Sequence, residues 1–362
     1  MTSDRTTPDR TTPDLFYNHA NRLRSVWRLA IFVVAYLAVF TTLLLVVRFA
    51  LAMLLPEDAS EWVLESSLGW IIQAVVILSA ANIVGWACNY ALEDLPPRAL
   101  GWTLHRGWLR DLLAGSLGGA LSVGLAVGVC AATGAYQFAL TPTVIWPAVL
   151  KTVVISGVIF LLGAASEEAL FRGYPLQTLM RSWPLWIALL PTSVPFAVVH
   201  LNNPNVAPVF TFANTVLAGV WLAVAYARTR SLWFPLGLHW TWNWMMGALY
   251  GIPVSGIKAI TPEPLLRSTE AGADWFTGGA YGIEGGAACT LALVVSTLII
   301  WRTRWPDATE ELRRMTDAEN PDAGADSVVP VEATATRAPH ETTGDIATGE
   351  TMSPLKETTG DS

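Results

Sequence analysis

Between Trp27 and Trp301 the chain is a succession of long apolar stretches joined by short polar ones, and that pattern restricts it to a membrane-spanning fold. A helix needs about 20 mostly apolar residues to cross the hydrocarbon layer, and in lipid it must satisfy its own backbone polar groups. Eight stretches answer that description: residues 27–54, 70–92, 112–134, 145–171, 185–199, 208–227, 232–250 and 286–301, the fifth and eighth being the shortest. Only 14% of the 362 residues are charged, against about 25% in soluble domains. The expected fold is therefore all-α: a polytopic membrane helical bundle of about eight transmembrane helices, multi-pass in the cell membrane. The first stretch is too long for a signal-peptide apolar region and is read as a retained span.

Loop charges give an independent check on this division. Arg22, Arg24 and Arg28 precede the first span; Glu57, Asp58, Glu61 and Glu65 follow it. Arg98, Arg106 and Arg110 come next, then an uncharged loop, then Arg172 and Arg181. After an uncharged segment come Arg228 and Arg230, a mixed and slightly acidic loop over 251–285, and finally Arg302, Arg304, Arg313 and Arg314. Basic loops alternate with acidic or neutral ones, so the positive-inside rule puts the N and C termini in the cytoplasm.

Three domains follow. Residues 1–25 and 305–362 are polar, repetitive tails, the second acidic, and both are expected to be disordered. Residues 26–304 form the transmembrane bundle. The net charge of −7 arises mainly from the acidic tail and loops and gives no reason to expect nucleic acid as a partner. Cys88, Cys130 and Cys289 lie singly in apolar runs and read as small buried hydrophobes. Tryptophans 27, 70, 86, 146, 183, 186, 233 and 301 fall near span ends, as an interfacial belt requires. Gly115, Gly118, Gly119, Gly124 and Gly128 point to close helix packing, with Gly124 and Gly128 assigned to internal packing rather than dimerisation. His19, His105 and His340 lie in tails or loops and are given no chemistry.

Chemistry concentrates in a few ionisable groups inside apolar runs. Glu167 and Glu168 end a stretch without charge from Val153 to Ala165, and Arg172 follows. His200 follows Phe196 by four residues, and Asn243 follows His239 by four, so each pair shares a helix face. Intramembrane ionisable groups are costly and mark function. Glu168 and Arg172 are spaced as a favourable ion pair, acid first. The neighbouring Glu167 points about 100° away around the helix and lacks a local partner. We therefore assign Glu167 the catalytic role and Glu168 a structural one. Glu167 with His200 could hold and deprotonate a water, while His239 and Asn243 could donate hydrogen bonds to the oxyanion of a peptide carbonyl.

Glu167-Glu168-x-x-x-Arg172, Phe196-x-x-x-His200 and His239-x-x-x-Asn243 resemble, in order, the signature motifs of the CPBP family. These are the CAAX-type prenyl-protein endopeptidases and bacteriocin-processing intramembrane proteases, also called the Abi family. The resemblance covers about residues 145–250, the protease core, with a looser echo at Leu100-Gly101-Trp102. It implies a helical membrane bundle enclosing the site. Glu167 matches the catalytic glutamate, Glu168 and Arg172 complete its motif, Phe196 supports His200, and His200, His239 and Asn243 match the remaining active-site positions. The implied substrate is a membrane-embedded or lipidated peptide or protein, with membrane lipids as surroundings; the oligomeric state is left open.

The family is commonly described as metallopeptidases, although a metal-free glutamate mechanism has also been argued for it. His200, His239 and Glu167 could supply a His₂Glu zinc site, but the HExxH helix usual for such a site is absent. The reading favours no metal and commits to no cofactor. One geometric condition must be met. Orientation puts Glu167 toward the cytoplasm and His200 toward the other side, so they meet only if the fourth helix runs on toward Arg181 and the fifth toward Asn205. A proton-coupled transporter and a catalytically silent scaffold or immunity-type protein are the competing functions; the first lacks an internal repeat, and the intact motifs weigh against the second.

Overall fold

The computed structural model describes residues 15–18, 22–206, 208–303 and 306–316. Helix occupies each of the eight apolar stretches. In chain order the α-helices are α1 Ser25–Leu54, α2 Glu57–Glu65, α3 Ser67–Glu93, α4 Trp108–Ala132, α5 Trp146–Phe171, α6 Tyr174–Met180, α7 Leu185–Ala188, α8 Leu190–His200, α9 Pro208–Thr229, α10 Trp233–Trp244, α11 Asp274–Thr277, α12 Ala287–Arg302 and α13 Glu310–Thr316. Five helical runs among the described residues are long and apolar enough to cross a membrane: α1, α3, α4, the run Thr143–Met180 and most of α9. Leu185–His200 and α12 are apolar but shorter. At 1.5 Å per residue the 16 residues of α12 reach about 24 Å, less than the ~30 Å hydrocarbon thickness. Helix α10 ends in a π-helical turn, Met245–Leu249.

The packing of α10 decides where the site lies, because α10 carries two of its side chains. On one side, glycines let its backbone meet that of α4. A Cβ at Gly115 would overlap the carbonyl oxygen of Phe234, one at Gly119 that of Leu238, and one at Gly237 that of Leu112. On the other side, Trp240 Nε1 donates to Gly157 O and Trp244 Nε1 to Val153 O, both at 3.0 Å, fixing α10 against α5. The glycine reading needs one correction. A Cβ at Gly128 would meet nothing within 4 Å, and one at Gly124 only the Tyr250 hydroxyl at 3.8 Å, so that pair takes no part in internal packing.

Charge is also buried at the ends of α1, α3 and α6. Glu93 pairs with Arg28 (Nη1 to Oε1 3.5 Å) and with Arg181, and accepts from Thr178 Oγ1 at 2.5 Å. Arg28 and Arg181, counted above as loop cations, are therefore interior groups, 0% and 1% exposed. Gly101 (φ +94°) accepts from Leu232 N through its carbonyl oxygen, and Leu100 O accepts from Gln177 Nε2, so the Leu100-Gly101-Trp102 turn ties the start of α10 to α6. All three cysteines are buried and free.

Two features depart from the sequence expectation. Strands β1 Tyr136–Leu140 and β2 Leu266–Glu270 pair antiparallel, Tyr136 opposite Glu270, and join the loop after α4 to the long loop after α10. Residues 306–316, assigned to a disordered tail by composition, contain α13, whose Leu312 and Thr316 are buried. The remainder of the acidic tail, residues 1–14, His19 and His340 lie outside the described residues.

Candidate active site

The last turn of α5 presents its two carboxylates to different surroundings, as successive positions on a helix must. Glu168 is fully buried. Its Oε1 accepts from Arg172 Nη1 at 3.0 Å and from His239 Nδ1 at 2.8 Å. Arg172, capping α5, also donates from Nη2 to Gly219 O on α9 at 3.2 Å, and its guanidinium stacks 4.4 Å from the Phe196 ring centroid. Gly219 also lets α8 pack closely on α9, since a Cβ there would come 2.7 Å from Ser193 Cβ. Glu168, Arg172, Phe196 and the Gly219 carbonyl thus form one braced unit joining α5, α8, α9 and α10.

Glu167 faces a cavity instead, its side chain 32% exposed. The imidazole facing it is that of His239, with Nε2 3.6 Å from Oε2. The His200 Nδ1 lies 2.6 Å from Phe196 O and donates to it, which leaves Nε2 as its open nitrogen. His239 donates Nδ1–H to Glu168 and likewise turns Nε2 toward Glu167. Glu167, His200, His239 and Asn243 all line one cavity of about 280 Å³, as does Phe196.

The condition on helix ends is not met as stated, because α5 ends at Phe171, a turn at Arg172–Gly173 follows, and the chain resumes as the short α6. Glu167 therefore lies in the last turn of α5, and the apolar helical stretch that contains it goes on beyond that turn to Met180. Helix α8 stops at His200, and residues 201–205 follow as turns. The short run Leu185–His200 brings His200 to the cavity without extension.

Among the described residues no group of three His, Cys, Asp or Glu side chains lies close enough together to hold a metal ion. The chemistry below is therefore derived without one.

The long loop 251–285, which the sequence offered as a cap for the site, does line the cavity, but one carboxylate in it was not singled out. Glu284 lines it, accepting from Trp242 Nε1 at 3.1 Å through Oε1 and from Ser255 N and Oγ at 2.6 and 2.8 Å through Oε2. Val254, Ser255, Ile257 and Ile260 from the long loop close that side. Asn214 on α9 donates to the carbonyl oxygens of Glu284 and Gly286, holding the segment in place. The available signal was a carboxylate isolated among glycines and apolar residues just before the last span.

These features define a helical membrane protein with a carboxylate–imidazole cavity between its helices. Residues 149–245 match the family model described as Rce1-like, type II CAAX prenyl endopeptidase Rce1-like. The resemblance to the CPBP family drawn from the three motifs holds over this core, and it points to a peptidase. Comparison with curated proteins and with solved structures gives no match.

Proposed function

We propose that the protein is a multi-pass intramembrane endopeptidase of the cell membrane that hydrolyses a peptide bond in a membrane-associated or lipidated protein or peptide. The observation that carries this reading is the meeting of Glu167, His200, His239 and Asn243, from three helices, in one cavity. In the proposed reaction Glu167 removes a proton from a water held between it and His200 Nε2, and the hydroxide attacks the peptide carbonyl. His239, protonated on both nitrogens, donates Nδ1–H to Glu168 and presents Nε2–H to the oxyanion, with the Asn243 amide as a second donor. Glu167 then passes the proton to the leaving amine. Glu168 and Arg172 orient His239, in the way a buried carboxylate fixes the imidazole of a hydrolase triad. The protease core is residues 145–250, within a bundle of about eight spans with both termini cytoplasmic, an orientation for which Arg22, Arg24, Arg98, Arg106, Arg228, Arg230 and Arg302 remain as support once the buried Arg28, Arg172 and Arg181 are set aside.

The test is proteolysis in reconstituted membranes with lipidated and unlipidated fluorogenic peptides. Wild-type protein is expected to cleave, and Glu167→Gln to lose about 10²–10⁴-fold in rate, the usual contribution of a positioned base. Equal rates for the two proteins would overturn the assignment.

A further inference from the structure

One helical turn before Glu167, α5 carries a glycine that its backbone does not require. Gly163 lies within a regular α-helix and has no positive φ. Glycine is the least favourable residue of a helix interior after proline, because it gives up the most backbone freedom on folding. Membrane helices often use it where two backbones must approach closely, as Gly115, Gly119 and Gly237 do between α4 and α10. Gly163 serves no such approach, since a Cβ there would meet nothing within 4 Å. Among the described residues two glycines within α-helices share that openness, Gly128 and Gly163, and of the two only Gly163 lines the cavity.

Its position gives the open space a meaning. Ile159, Gly163 and Glu167 are spaced by four, share one face of α5, and all line the cavity. At 1.5 Å per residue Gly163 stands about 6 Å from Glu167 along the helix and Ile159 about 12 Å. Beyond the Glu167 carboxylate the helix face therefore offers first open space and then an apolar side chain. Helix α3 packs along α5 and adds Trp70, Ala74 and Ile77 to the lining, three or four residues apart and so on one apolar face. Gln73 on α3 and Val199 on α8 line the cavity and are exposed, so it is open to the outer surface of the bundle. The space at Gly163 lies within reach of a side chain on a residue flanking a peptide bond attacked at Glu167.

We propose that Gly163 is a specificity-determining residue: its missing side chain leaves room for an apolar group flanking the scissile bond and sets the largest such group the site accepts. The group is an alkyl chain carried by the residue before the bond or an aliphatic or aromatic side chain on the residue after it. This rests on the proteolytic reading of the cavity and adds to it a size limit. A glycine that merely gave the Glu167 carboxylate or its water freedom to move would affect every substrate alike.

The test uses full-length protein in nanodiscs, wild type beside Gly163→Ala and Gly163→Leu, and two series of fluorogenic peptides. One lengthens the S-alkyl group on a cysteine before the cleaved bond from methyl through octyl to farnesyl. The other enlarges the residue after the bond from alanine through valine and leucine to phenylalanine. Alanine and leucine favour a helix more than glycine does, so neither variant should melt below wild type; a lower midpoint would show that the space is not open and overturn the proposal. In Gly163→Leu the ratio of kcat/KM for the largest group to that for the smallest is expected to fall about tenfold or more, equivalent to about 1.4 kcal/mol, and in Gly163→Ala by less. The series whose ratio falls identifies the flanking group. An equal loss for every peptide, or an unchanged ratio in both series, overturns the size limit while leaving proteolysis standing. Binding of the same peptides to Glu167→Gln protein, with and without Gly163→Leu, is read by fluorescence anisotropy. Size-dependent loss of binding without turnover of any peptide by wild type overturns proteolysis and keeps the subsite. Neither binding nor turnover overturns both.

Discussion

Replacing Glu168 by glutamine should unfold the brace behind the site while leaving its shape almost unchanged. Glu168 Oε1 accepts two hydrogen bonds from charged or chargeable donors, Arg172 Nη1 and His239 Nδ1, in a fully buried setting. Bonds to charged groups contribute about 1.5–3 kcal/mol each, against about 1 kcal/mol for neutral ones. Glutamine keeps one carbonyl acceptor but no charge, so the two bonds together lose about 1–4 kcal/mol. Arg172, 1% exposed, would keep a neutral amide acceptor, the Gly219 carbonyl and the Phe171 and Phe196 rings, but lose the carboxylate bonded to it. Removing one partner of a buried pair costs about 3–5 kcal/mol for the same reason. We expect Glu168→Gln to be less stable by about 3 kcal/mol, which at about 2–4 °C per kcal/mol lowers the thermal midpoint by roughly 10 °C. The assay is thermal unfolding in one detergent at one scan rate, with Glu167→Gln as the control. Glu167 is one-third exposed and lacks a short hydrogen bond, so its variant should melt with wild type. Adding Arg172→Met to Glu168→Gln removes the stranded charge and should recover part of the loss. If Glu168→Gln melts with Glu167→Gln, or if Arg172→Met lowers the midpoint further, the brace does not hold the site as argued.

Gly119→Val should destabilise strongly, because its side chain would enter the α10 backbone at Leu238 beside His239; Gly128→Val, with open space around it, should be tolerated. Parallel expression and thermal melts compare the two. Asn243→Ala should lower kcat by about 10²–10³ with little change in KM or thermal midpoint, the signature of a donor used only in the transition state; a KM effect alone would contradict the oxyanion role. Treatment with a metal chelator should leave the peptidase rate unchanged, and loss of activity restored by added zinc would show that the donors converge in a way this structure does not contain.

Much of the fold was legible because membrane spans are written in the coarsest property of a sequence. A run such as Val153–Ala165 without charge has few alternatives to a helix in lipid, and the eight runs identified from composition all contain helix. The Glu168–Arg172 pair was legible for a similar reason, since a separation of four residues on a helix fixes its own geometry. Tryptophan was a poorer guide. Trp70 was assigned to an interfacial belt, yet it lines the cavity. Trp233 packs against Trp102 and donates to Thr103 O, and Trp240 and Trp244, two turns of one helix face, lock α10 to α5. The amphipathic indole suits both a headgroup layer and a helix–helix hydrogen bond, so position along the span does not choose between them.

What the sequence could not show are the contacts between segments distant in the chain. The pairing of β1 with β2 joins residues well over a hundred positions apart, through two short segments with no strong alternation. Arg28 and Arg181 read as loop cations because loop assignment weighs charge alone; Glu93, their shared partner, sits on a third helix and neutralises them in the interior. The depth of the site is the most instructive case. A rule that ends a helix at the first charge places Glu167 at a membrane surface and separates it from His200. The chain instead buries the charge it meets, holding Arg172 between Glu168, Gly219 and the Phe196 ring, and after a turn at Arg172–Gly173 resumes as the buried helix α6. With Arg172 paired in the interior, the end of α5 stays buried, and Glu167 in its last turn lines the same cavity as His200 and His239. The ion pair that looks merely structural in sequence sets the depth at which the proposed chemistry can occur.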